Sequence, residues 1–299
     1  MTAFHDRWDG KTLADAPDLS DRLKDQVTDT SGSPVMARAP LLLQQSLMFP
    51  YSEGLSFEQA ILVKAGKDVA FAGVLANPPS SSFEIMHPDA YMAHAPVPVV
   101  RLPDIHPLLD PEYVPYDIGV MGELDVRILA ELFGGRELAT ALAPEWNGGV
   151  YYAAQRKSAV NSAEKESTAS IGLLYYSRWK NSDSARSFMR IYASQIPRKY
   201  SNVVERKKDE ADEKELVYST NEGDVLISRS GDSVFIGESF GLPLERKLRD
   251  LIESVQPQGP MQQAALPDSE PSLSMARIIA SFGVANTSCL RRYTSIGAK

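Results

Sequence analysis

Hydrophobic positions recur at helical spacing through the first half of the chain and in short strand-like runs through the second. After Ser33-Pro34, the run Leu41-Leu-Leu-Gln-Gln-Ser-Leu-Met48 predicts a largely buried helix with Pro40 near its first turn. Ser56 and Gln59 have capping-box spacing and open a second helix through Ile61 and Val63 to Gly66. Lys67 to Ala76 reads as a third, ended by Pro78-Pro79. Ser81 and Glu84 repeat the capping spacing, so a short helical turn should present Ile85, Met86 and His87. Residues 93–116 hold six prolines and no clear period, which predicts an ordered surface loop. Met121, Leu124, Ile128, Leu129 and Leu132 mark the clearest helix, stopped at Gly134-Gly135 and followed by a short one from Arg136 to Leu142. A short amphipathic helix also fits Leu19, Leu23 and Val27.

The pattern then changes. Gly149 to Gln155 and Ser170 to Tyr176 are rich in aromatic and aliphatic residues and predict strands, with an exposed hairpin loop from Ser158 to Ser167. Asp183 is placed to cap a helix through Phe188, Ile191 and Tyr192. Residues 205–215 form a charge run, expected as a solvated loop. Glu215–Thr220, Asp224–Arg229 and Ser233–Glu238 read as strands joined by Asn221-Glu-Gly and Ser230-Gly-Asp turns, and Leu244 to Val255 as an amphipathic helix. The fold class is therefore α+β. A helical layer with a proline-rich loop (34–147) packs with a small antiparallel sheet and two helices (148–255). A polar segment (1–33) precedes them, and a Pro, Gln, Ser and Ala-rich tail (256–299) follows, expected to be flexible apart from a short helix at Met275–Phe282.

Composition narrows the class. With 43% hydrophobic and 23% charged residues, the 299-residue chain has the make-up of a soluble globular protein. Its net charge of −8 argues against nucleic acid as a partner. No apolar run reaches the ~18 residues of a membrane span, and the polar start lacks the plan of a signal peptide, so a cytoplasmic protein is expected. The single cysteine, Cys289, excludes an internal disulfide and reads as an ordinary thiol.

Candidate chemistry is sparse. The histidines are His5, His87, His94 and His106, with no His-Glu-x-x-His, no Cys-x-x-Cys, no nucleophile elbow and no phosphate loop. His87, at the end of a short turn before Pro88, and Tyr91, four residues on, could each donate a hydrogen bond to a developing oxyanion. The simpler reading is that both anchor the proline-rich loop. Glu123 and Asp125 suit a helix N-terminus, and Glu123 is spaced to pair with Arg127 or to orient a histidine.

Four segments carry a resemblance: Leu47-Met-Phe-Pro-Tyr-Ser-Glu-Gly54, Pro78-Pro-Ser-Ser-Ser-Phe-Glu-Ile-Met-His-Pro-Asp-Ala-Tyr91, Tyr116-Asp-Ile-Gly-Val-Met-Gly-Glu-Leu-Asp125 and Trp146-Asn-Gly-Gly-Val-Tyr151. Tyr175-Tyr-Ser-Arg-Trp179 adds a fifth. In this order they resemble the C-terminal two-thirds of a poorly characterised bacterial group of zincin-like metallopeptidases. The resemblance implies a substrate-facing wall with His87, Tyr91 and Glu123 in catalytic or supporting roles and Tyr51, Pro79 and Ser81 near a bound peptide. It implies zinc as cofactor for full-length members only, and a setting outside the cytoplasm. Their His-Glu-x-x-His, which holds zinc and activates its water, is not found in this sequence. Three readings stay open: a fragment, a shortened paralogue without catalysis, or a zinc-bearing half on another chain. The expected function is a non-catalytic metallopeptidase-like protein that binds a peptide or protein, the alternative a hydrolase using His87 with Glu123 or Asp125.

Overall fold

The computed structural model describes residues 32–206 and 214–256. The helices expected near Leu19 to Val27 and at Met275–Phe282, the 256–299 tail beyond Gln256, and most of the charge run lie outside the described residues. The chain divides into two compact units, Met1–Val97 and Pro98–Lys299.

In the first unit, α1 (Leu41–Ala65) is one helix of 25 residues, not two. Pro50 lies inside it and deletes one rung of the backbone ladder. Ser56 is no cap: its hydroxyl donates back to the Ser52 carbonyl (3.0 Å), as Ser52 does to Met48 (3.2 Å), so the capping-box spacing is coincidental. A π-helical turn, Asp68–Gly73, runs into Val74–Ala76. Then come two single-turn helices, α2 (Ser82–Met86) and α3 (Pro88–Met92). Their common core is Phe57, Ile61, Ala70 and Val74, flanked by Ile85, Tyr91 and Met92.

The second unit is α+β and built on a seven-stranded antiparallel sheet. Its strands are β1 (Tyr113–Val120), β2 (Trp146–Arg156), β3 (Ile171–Trp179), β4 (Val204–Glu205), β5 (Glu215–Thr220), β6 (Gly223–Ser230) and β7 (Ser233–Glu238), in the spatial order β1-β2-β3-β7-β6-β5-β4. After a short turn, α4 (His106–Leu109), the chain enters β1, so the end of the proline-rich stretch is strand and not loop. Helix α5 (Glu123–Leu142) is two helical runs that meet at the expected stop: Gly135 leaves helical geometry at φ +83°, ending the first run, and Arg136 opens the short second one. Residues 147 and 148, where the sequence changes character, lie within β2.

Helix α6 (Ser182–Lys199) is capped by Asn181, whose side chain accepts the Asp183 and Ser184 amides (3.1 and 2.8 Å). Asp183, the expected cap, sits in the first turn and pairs with Arg186. Helix α7 is Leu242–Ser254. Helices α5 and α6 cover one face of the sheet, where Tyr175, Trp179 and Tyr192 surround Phe188. Helix α7 and the α4 turn cover the other, over Val150, Tyr152, Leu174, Tyr176, Leu226 and Phe235. Burial on both faces explains why the central strands read as continuous apolar runs rather than alternating ones. Among the described residues no helix is long and apolar enough to cross a membrane.

Candidate functional site

Of the residues singled out in the first unit, Ser81, His87 and Tyr91 are engaged locally. Tyr51 stands 66% exposed on α1. Pro79 is half-buried ahead of α2. Ser81 caps α2 by accepting the Glu84 amide (3.4 Å), while the Glu84 carboxylate reaches back to the Ser80 amide and hydroxyl (2.6 and 2.8 Å). The capping spacing seen in the sequence is thus used, with its return bond one residue early. His87 joins two helices. Its amide closes α2 onto Phe83 O (2.9 Å), its carbonyl accepts the Tyr91 amide (3.1 Å), and its ring lies 4.4 Å from that of Phe83. Tyr91 donates its hydroxyl to the Asn77 carbonyl and sets its ring edge-on to Phe57 at 5.1 Å. Burial, followed by the nearby Glu84 and Glu58 carboxylates, raises the Tyr91 phenol. Lys64 and Asp89 tie α1 to α3. The His-Pro segment therefore builds a cap and an anchor.

Glu123 and Asp125 belong to the second unit, so the expected trio His87, Tyr91 and Glu123 is divided between the units. Both carboxylates are buried in the first turn of α5. Asp125 accepts the Gly122 amide (2.8 Å), and burial still pushes its carboxyl up to about 6. Around this helix start the resemblance segments of the unit meet. Trp146 Nε1 donates to the Met121 carbonyl (3.1 Å), and the Met121 amide donates to the Gly149 carbonyl (3.2 Å). A Cβ on Gly149 would stand 2.7 Å from that same Met121 oxygen, and Gly148 takes φ +114°. The Trp-Asn-Gly-Gly motif is thus explained as a clasp between β2 and the β1–α5 junction.

Zinc does not fit the described residues. No group of three or more His, Cys, Asp or Glu among them could hold a metal ion. His106 instead contacts Asp104 (2.9 Å) and the Tyr152 hydroxyl (3.4 Å).

Two features went unread in the sequence. The first is β1 itself. It pairs with β2 alone, leaving its other side an open sheet edge among the described residues. A bulge between Pro115 and Asp117 shifts the register. As a result Val114 and Ile118, 41% and 56% exposed, flank the edge on opposite faces. The Asp117 carboxylate accepts the Ile118 amide and the Tyr151 hydroxyl, both at 2.9 Å. The alternation Tyr113-Val-Pro-Tyr-Asp-Ile-Gly-Val120 was the available signal, obscured by Pro115, a residue that edge strands tolerate. The second is a buried acid at the end of β7. Glu238 accepts hydrogen bonds from Tyr192 (2.5 Å), Tyr200 (2.6 Å) and Lys199. Burial and the Glu238 charge push both phenols far up. No described family, curated protein or solved structure matches this chain.

Proposed function

We propose that this chain is a polypeptide-binding module of a metallopeptidase-like protein, non-catalytic as it stands, which takes an extended peptide along the outer edge of β1. The open edge of β1, with Val114 and Ile118 exposed beside it, carries the reading. An added strand gains main-chain hydrogen bonds from such an edge and covers its flanking side chains, so the backbone supplies affinity and the side chains preference. Pro115 offers no amide, which places the best pairing along Asp117–Val120. There the Ile118 amide is held by a side chain, and a peptide carbonyl can take the place of the Asp117 carboxylate. The resemblance supplies the polypeptide class of ligand. The donor groups among the described residues do not fit zinc, which supports binding over zinc-dependent hydrolysis by those residues.

The test uses fluorescence anisotropy with a library of labelled, apolar, extended peptides. Binding should weaken at least tenfold when alternate peptide amides are N-methylated, and equally in Ile118→Lys. Binding indifferent to N-methylation would overturn strand addition. Stoichiometric zinc in the purified protein together with peptide hydrolysis would overturn the non-catalytic assignment.

A further inference from the structure

A polar cleft of about 260 Å³ opens between the β5–β6 ladder and α7. Its walls include Lys214, Glu215, Ser228, Arg249, Asp250 and Glu253. Glu215 and Ser228 are register partners, so their side chains share a face of the sheet. That face is the one α7 covers, because Leu226 on the same strand packs in the α7 core.

Part of this lining is already internally satisfied. Glu215, almost fully buried, receives Arg246 on one oxygen (2.7 Å) and Arg249 on the other (2.6 Å). Arg249 directs Nε and one Nη2 hydrogen to Asp250 (2.9 and 2.8 Å), which with its bond to Glu215 uses three of the five guanidinium donors. These pairs line the cleft with both charge signs.

Ser228 is not satisfied. It is 4% exposed, and its hydroxyl has no hydrogen-bond partner. A buried hydroxyl left unpaired carries a desolvation penalty that a ligand oxygen would relieve. Across the cleft, burial raises the Glu253 carboxyl against the opposing pull of Arg249.

Charge balance selects the ligand. With Arg229, the lining holds three cationic residues and three carboxylates. A net anion would meet the acids and a net cation the bases. A neutral hydroxyl both donates and accepts, so a ring of hydroxyls can serve Ser228, Arg249 and Glu253 at once. The cleft is about the size of one sugar ring and has little apolar wall, which disfavours an aromatic or aliphatic guest.

We propose that this cleft binds a small, uncharged, polyhydroxylated ligand, a single sugar ring or a cyclic polyol. The assignment is independent of the β1 edge. The test is saturation-transfer NMR and calorimetric titration of the full chain with glucose, galactose, mannose and myo-inositol. Glucosamine, glucose 6-phosphate and glycine serve as cationic, anionic and zwitterionic arms. At least one neutral probe should saturate in the millimolar range and bind at least fivefold more tightly than its charged counterpart. Ser228→Ala should weaken that binding at least threefold while leaving the melting temperature unchanged or raised, because it removes an unpaired hydroxyl. Glu253→Gln should weaken it as well. Absence of saturable binding by all four neutral probes below 20 mM (about twentyfold above a ~1 mM dissociation constant) would overturn the proposal. So would tighter binding of glucose 6-phosphate, which would mark an anion site, or of glycine, which would mark a zwitterion site.

Discussion

Glu245 gives the sharpest test of the second unit's energetics. It lies in the first turn of α7 at 0% exposure, under the end of β7, where a Cβ on Gly237 would touch its side chain. Neither carboxylate oxygen has a hydrogen-bond partner. The Phe240 amide favours the ionised form but stops short of a hydrogen bond. Burial dominates, with Asp224 and Glu238 adding repulsion, and the carboxyl is pushed from 4.5 up to about 10. At neutral pH the folded protein therefore holds this proton while the unfolded chain does not. A raised carboxyl contributes its full stability below 4.5 and loses it progressively as pH rises toward 10. At pH 7, about 2.5 units above the unfolded value, the linkage costs roughly 3.4 kcal/mol, at 1.36 kcal/mol per unit. Glu245→Gln keeps the shape and the unpaired polar atoms but cannot ionise. It should match the wild type near pH 4 and exceed it by about 3 kcal/mol at pH 7. The assay is urea unfolding at a series of pH values, followed by the fluorescence of Trp146 and Trp179, both buried in this unit. Asp125, pushed up to about 6, also titrates in this range but cancels between the two proteins. A difference flat with pH, or a wild type more stable than the variant at pH 7, would refute the reasoning. Either would mean that the folded carboxyl is ionised and partnered.

Other outcomes follow from single contacts. Gly149→Ala forces a methyl against the Met121 carbonyl and should cost about 1–3 kcal/mol in urea unfolding, with a redshift of Trp146 emission as its bond to that carbonyl lengthens. Lys199→Met leaves Glu238, whose side chain is 2% exposed, without its cation. It should cost about 3–5 kcal/mol, and adding Glu238→Gln should recover part of that loss. Asn181→Ala should cost about 1 kcal/mol through loss of the α6 cap, whereas Asp183→Ala should cost less than half as much, a ranking opposite to that expected from the sequence.

What could be read from the sequence depended on whether local signals agreed with tertiary context. The strands β5, β6 and β7 were legible almost to the residue because each is short, apolar at its centre and bounded by a glycine turn. Gly231, at φ +59°, closes the β6–β7 hairpin as the Ser-Gly-Asp wording implied. Strands β2 and β3 were legible because their apolar runs are too short for a buried helix and too aromatic for a loop. The β1 strand was not, since Pro115 and the bulge break its alternation, and only the presence of β2 beside it makes the segment a strand. The α1 helix failed in the opposite sense. One local signal, the capping spacing at Ser56 and Gln59, was overruled because Phe49, Leu55, Phe57 and Ile61 bury along one continuous helix. Tertiary packing supplies most of a helix's stability, so the buried residues of α1 can absorb the loss of one backbone bond at Pro50.

The candidate chemistry followed the same division. The Ser81–Glu84 cap and the His87-Pro88 corner were correctly placed as local structure, because capping is written in adjacent residues. Glu238 and Glu245 were not, because a carboxylate beside a turn or in the first turn of a helix ordinarily faces water. Coverage of both sheet faces turns them inward, Glu238 under α6 and Glu245 on α7. Glu238 was then supplied with two phenols and an ammonium, while Glu245 was supplied with nothing. Two glutamates seven residues apart thus reach opposite solutions: Glu238 is held by three donors, and Glu245, without any, holds its proton to a high pH. Residue type could not distinguish them, whereas the stability profile of Glu245→Gln can.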